Sequence, residues 1–159
     1  MRINPTKLAL AAVPLAMVAA AVVATLATAT SASPAVRRLV FVERELAAPT
    51  LDLGKHGFSP LDRQTITSDI LDLHGTVVGR LDDDCAITAV GKRAGAICSY
   101  AITLASGQLV GTRFNDFTAH GASPQPITGG SGTYASARGQ IRPLKKTKRG
   151  LEFAIELTR

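Results

Sequence analysis

From Val36 onward no stretch of the chain sustains a helical repeat of apolar residues. Short apolar runs of strand length recur instead, each closed by glycine or small polar residues. That pattern restricts the fold to the all-β class. The last run is the clearest, with Leu151, Phe153, Ile155 and Leu157 on one face and Glu152, Glu156 and Thr158 on the other. Strands are predicted over 36–45, 64–73, 76–81, 85–90, 96–104, 108–116, 133–141 and 151–157. Turns fall at Gly91-Lys92, Ala105-Ser106-Gly107, Gly129 to Gly132 and Arg149-Gly150. Eight short strands with short connections suit a barrel or a sandwich, and closure removes exposed edges. The stretch 46–60, with Pro49, Gly54 and Gly57, is a loop able to cover one barrel mouth.

The N-terminus follows a different rule. Arg2 and Lys7 precede an uncharged run from Leu8 to Leu26, and Ala27-Thr28-Ala29 and Thr30-Ser31-Ala32 follow it. This is the layout of a secretory signal peptide over 1–29, with cleavage as late as 32. A retained membrane anchor is the alternative, but Pro14 and the alanine richness weaken it. Cleavage at Ala29 leaves 130 of the 159 residues. Without Arg2 and Lys7, 16 basic side chains face 12 acidic ones. The expected product is a bacterial extracellular domain over 36–159, too short for a multidomain enzyme and too apolar for a disordered polyampholyte.

Export places Cys85 and Cys98 in an oxidising compartment, where pairing is the default. Setting 85 opposite 98 leaves Gly91-Lys92 as a two-residue hairpin turn, with the sulfurs facing across adjacent strands. The separation lacks the C-x-x-C spacing of a redox pair. Two cysteines, and His56, His74 and His120 scattered singly, give no metal-ligand grouping, so no metal site is expected. Asp82-Asp83-Asp84 reads as a solvated turn before a strand and lacks a calcium-loop spacing. The Ser, His and Asp residues lack a nucleophile-elbow sequence. Arg138, Arg142, Lys145, Lys146, Lys148 and Arg149 form a basic stretch, and no acid lies between Phe117 and Leu151. Interleaved aromatics for base stacking are missing, so nucleic acid is not the expected partner.

The segment Pro126 to Ile141 carries Gly129, Gly130, Gly132, Tyr134, Ala137 and Gly139 in the order GG-S-G-x-Y-x-x-A-x-G. It resembles the signature of the allene oxide cyclase and dirigent proteins. Val78-Gly79-Arg80, Cys85 and Ser106-Gly107-Gln108-Leu109 add weaker similarity upstream. The resemblance implies an eight-stranded antiparallel β-barrel, lipocalin-like, with a pocket for a small hydrophobic or phenolic molecule. It also implies no cofactor and a homotrimer or dimer. An enzyme of this type would be an isomerase or cyclase, steering cyclisation or stereoselective coupling by holding a reactive molecule in one conformation.

Phe41-Val42-Glu43-Arg44-Glu45 is comparable with the first-strand glutamate stretch of plant allene oxide cyclases, which makes Glu43 the candidate catalytic acid or base. Leu39, Phe41, Glu43 and Glu45 share one strand face. If that face points inward, Glu43 is a carboxylate in apolar surroundings with a raised pKa. The other parity puts Val40 and Val42 inside. Leu39, Phe41, Tyr100, Ile102 and Phe114 are the expected pocket walls. The family's pocket tyrosine has no counterpart near Phe114 or Phe117, and the dirigent arginine before the glycine turn is replaced by Ser123-Pro124-Gln125. Two other expectations stand beside the enzyme: a non-catalytic extracellular ligand-binding protein, and a cell-envelope binder using the basic stretch.

Overall fold

Alternating residues become one inward and one outward face only when strands pair in register, and this chain pairs almost throughout. A computed structural model describes residues 36–119, 121 and 123–158, so the predicted signal segment lies outside the described residues. The strands are β1 (Val36–Ala47), β2 (Thr50–Leu51), β3 (Arg63–Leu71), β4 (Val77–Ala89), β5 (Gly95–Leu104) and β6 (Gly107–Asp116), followed by β7 (Gln125–Ile127), β8 (Gly129–Gly130), β9 (Arg138–Thr147) and β10 (Gly150–Thr158). Single 3₁₀ turns occupy Gly91–Arg93 and Gly132–Tyr134. The sheet order is β7-β9-β10-β1-β3-β4-β5-β6-β8, with β2 beside β3, and every pairing is antiparallel.

The two ends of that order are nearly joined. β7 pairs with β9 and β8 pairs with β6, yet only Thr128 separates β7 from β8. The Thr128 N–H donates to the Val110 carbonyl at 2.9 Å as the chain crosses. One short segment thus brings the sheet's edges together into a nearly closed barrel.

The prediction of eight strands needs correction. The runs 76–81 and 85–90 are one strand, β4. Asp82-Asp83-Asp84 is its middle and not a solvated turn: Asp82 pairs with Arg80 and Asp84 with Arg63 on the outside, while Asp83 is buried. Partner charges on neighbouring residues let three consecutive acids lie in a sheet. β2, β7 and β8 are too short to show a period-2 signal. The run 133–141 begins as a 3₁₀ turn and becomes a strand only at Arg138. The Gly91-Lys92 two-residue turn is also replaced. A bulge between Ile87 and Ala89 pairs Ala89 with Gly95, so the connection spans residues 90–94.

The glycine signature works at the seam. Gly139, at φ +151°, lies so close to β10 that a Cβ would strike the Glu156 carbonyl oxygen. Gly132, at φ +60°, packs in the same way on Ser106. Tyr134 and Ala137 are buried in the main core, and the Ser106 hydroxyl donates to the Tyr134 hydroxyl at 3.1 Å. The signature therefore builds barrel geometry.

Candidate functional site

Register fixes which side chains face inward. Along β4 the inward row runs Gly79, Leu81, Asp83, Cys85, Ile87, matched on β5 by Leu104, Ile102, Tyr100, Cys98, Ala96. Two apolar clusters share this interior. The larger joins Ile70, Ile102, Leu109, Ile127, Ile155 and their neighbours, with Leu39 and Phe41 packed against it. The smaller is Cys85, Ile87, Ala96 and Cys98, and Cys85 and Cys98 are disulfide-bonded. Between the clusters lies a polar layer of Glu43, Ser68, Asp83, Tyr100 and Arg113.

Each member of that layer has a defined partner. The Ser68 hydroxyl donates to Glu43 Oε1 at 3.0 Å. Arg113 Nη2 donates to Asp83 Oδ2, with the Asp83 side chain 2% and the Arg113 side chain 14% exposed. The Arg113 guanidinium lies 5.5 Å from the centre of the Tyr100 ring, a cation–π arrangement. Tyr100 spans Gly111, where a side chain would collide with its ring, and its hydroxyl donates to the Pro126 carbonyl at 2.6 Å. Tyr100 thereby ties β5 across β6 to the closing segment.

Burial dominates the proton affinities. It pushes the Glu43 carboxyl above the ordinary glutamate range, against the Ser68 hydrogen bond and the Arg113 charge, which pull it down. Burial raises Asp83 as well, opposed by Arg113. The Tyr100 hydroxyl is pushed up to about 12, again by burial. Glu43 is thus able to hold a proton at a higher pH than a solvated glutamate. It lines a recess of about 310 Å³ together with Glu45, Lys146, Thr147, Gly150 and Leu151. That volume lies at the lower end of small-ligand sites.

The residues predicted as pocket walls have divided fates. Tyr100 and Ile102 belong to the larger apolar cluster and Leu39 and Phe41 pack against it, with the Phe41 and Phe153 rings 6.0 Å apart, but none of the four lines the Glu43 recess. Phe114 does not line the interior: it is 57% exposed on the outer face, over Gly95. Arg113 beside it takes the inward position. Asp83 lies in the acid triplet that reads in sequence as a solvated turn, and no motif singles out Arg113. Their signal was parity: Asp83 falls in step with Leu81, Cys85 and Ile87, and Arg113 with Leu109 and Gly111. Asp83, Cys85 and Cys98 place ligand-type atoms within 4.8 Å of one another, but sulfurs bonded to each other offer no thiolate to a metal.

The expected covering loop is anchored from within. The buried Asp62 carboxylate accepts the N–H groups of Ser59, Gly54 and Leu53, and these bonds, the Ser59 one foremost, lower its pKa. Ile87 N–H donates to the Asp62 carbonyl at 2.8 Å, and Leu61 N–H to the Ile87 carbonyl at 3.0 Å. The loop is therefore fastened beside the disulfide cluster at the end of β4.

A pterocarpan synthase dirigent protein superposes on the chain with a TM-score of 0.61 at 12% identity, over 80% of this chain and 97% of that one. The chain has the dirigent-type barrel fold. The same barrel is present in a pyocyanin demethylase, with a TM-score of 0.64 at 22% identity over 77% of this chain and all of the other. It is present again in a Diels-Alderase from Streptomyces koyangensis, with a TM-score of 0.60 at 19% identity over 84% and 73% of the two chains. No family model and no curated protein matches the sequence. The shared property is the dirigent-type barrel itself, and identities this low show the fold alone.

Proposed function

We propose that this chain is a secreted, cofactor-free barrel that binds a small hydrophobic or phenolic molecule and steers its cyclisation or coupling, with Glu43 as the acid or base. The observation that carries the proposal is the Glu43 carboxyl itself. It faces inward, is held by Ser68, is raised in pKa by burial and borders an open recess. Structures sharing the fold are named for a Diels-Alderase and a pterocarpan synthase, which supports the chemistry class. A protonated Glu43 would donate to an oxygen of the bound molecule. Ionised, it would withdraw a proton or stabilise a developing positive charge. Leu151 beside it, with Lys146 and Thr147, would fix the molecule's conformation. Assembly as a homotrimer or dimer, by analogy with dirigent proteins, belongs to the same proposal.

Mass spectrometry of solvent extracts from the purified protein tests the reading first, with a co-purified small molecule as the expected result. Given that molecule, Glu43→Gln is expected to lower turnover roughly 10²-fold or more while binding persists. Unchanged turnover in the variant removes the acid–base role. Binding without any turnover in the parent protein leaves a ligand carrier of the same fold. The envelope-binding alternative is weaker, because Arg142 and Lys145 in the basic stretch face Glu156 and Glu152.

A further inference from the structure

The inward row of β1 carries Glu43 toward one end and Arg37 at the other, with Phe41 and Leu39 between them. Arg37 pairs in register with Leu157, and the two line a separate cavity of about 450 Å³ with Tyr134, Ser136 and Arg138. Leu157 and the buried Tyr134 supply its apolar wall. Among the described residues, no ion pair involves Arg37 or Arg138. Arg138 spends one guanidinium N–H on the Ala137 carbonyl at 2.8 Å, which directs its fork while leaving further donors for a ligand. Ser136 is held at φ +64°, a left-handed conformation uncommon for a residue other than glycine, and contributes to the cavity wall.

Arg37 and Arg138 both border this cavity beside the Leu157 and Tyr134 wall, a lining that matches an acid with an apolar body. The carboxylate would take charge-assisted, bidentate hydrogen bonds, and the body would lie on Leu157 and Tyr134. We propose that this cavity is a second ligand site, distinct from the Glu43 recess, that binds a small apolar carboxylic acid through Arg37 and Arg138. The signature turn is then both the clasp of the barrel and a wall of this site. The proposal does not depend on the role assigned to Glu43.

Calorimetric titration with 1-naphthoate, and with the neutral 1-naphthalenemethanol as control, tests it. Saturable 1-naphthoate binding is expected, about tenfold or more tighter than the alcohol, and weakening as salt rises. The double variant Arg37→Ala, Arg138→Ala is expected to lose about tenfold or more in naphthoate affinity, while Glu43→Gln binds as the parent does. Both arginines are exposed, so the double variant should fold, and its circular dichroism spectrum checks this. Equal affinity for acid and alcohol overturns the proposal. So does undiminished binding in the double variant, or a loss confined to Glu43→Gln.

Discussion

The larger apolar cluster and the polar layer occupy one barrel, but they keep their places by different physics. Ile70, Ile102, Leu109 and Ile155 need only volume and shape, so similar side chains could replace them. Glu43, Ser68, Asp83, Tyr100 and Arg113 need specific partners, because each would leave a buried polar group unsatisfied if its neighbour were lost. The apolar cluster supplies stability that tolerates variation. The polar layer accepts a desolvation cost, and that cost is what raises the Glu43 carboxyl. Such a trade is expected where a fold carries a site.

The sharpest break of this contrast is Arg113→Ala, which strands Asp83 in the interior. It should cost about 3–5 kcal/mol in urea denaturation. The paired change Asp83→Leu with Arg113→Met should recover most of that loss, showing that the charge and not the volume was at stake. Removing the disulfide with Cys85→Ala and Cys98→Ala should cost roughly 3 kcal/mol, read as a lower denaturation midpoint. Tyr100→Phe, which frees the Pro126 carbonyl, should cost about 1 kcal/mol. In the apolar cluster, Ile102→Val should cost a similar 0.5–1.5 kcal/mol or so, yet leave any ligand chemistry intact.

Glu43→Gln has the smallest effect on stability, and the opposite sign. A carboxyl whose folded pKa is raised contributes stability below its unfolded pKa, and that contribution is lost as pH rises through the folded value. Glutamine cannot ionise, so the variant should melt higher than the parent at neutral pH. The gap should close at pH values below the ordinary glutamate range. A variant that melts lower than the parent at neutral pH would place Glu43 in a solvated or well-paired setting instead.

The difference between the two regions also explains what could be read from the chain. Strands rich in aliphatic residues announced themselves by alternation, as in β10, and the Cys85–Cys98 pair followed from register and compartment. The β1 alternation left two parities open; Phe41 packs against the larger apolar cluster and Glu43 bonds Ser68 on the same side, while Val42 on the other parity is buried as well. The polar layer was only partly legible, because Asp83 and Arg113 are ordinary surface residues by composition. Only the pairing of distant strands shows that they meet: Asp83 and Arg113 are joined through β5, by Cys85 opposite Cys98 and Cys98 opposite Arg113. Phe114 is the converse case: its ring lies on the outer face, while the neighbouring Arg113 takes the inward position beside its partner Asp83. The short strands β7 and β8 were invisible for want of length, although the glycines around them marked the seam.

The pairing of β1 with β10, from Val36 opposite Thr158 to Glu43 opposite Leu151, dictates an order of events during synthesis. The first strand of the domain must wait for the last before it gains that neighbour. Until then the β1 edge facing β10 stays open, and the Glu43 side of the interior has no wall on that flank. The local hairpins β3–β4, β4–β5 and β5–β6 can assemble early, but joining the chain's two ends is a long-range step with a high entropic cost. Folding should therefore be limited by this late closure. The emerging chain is most exposed to edge-to-edge aggregation just before its final strand arrives.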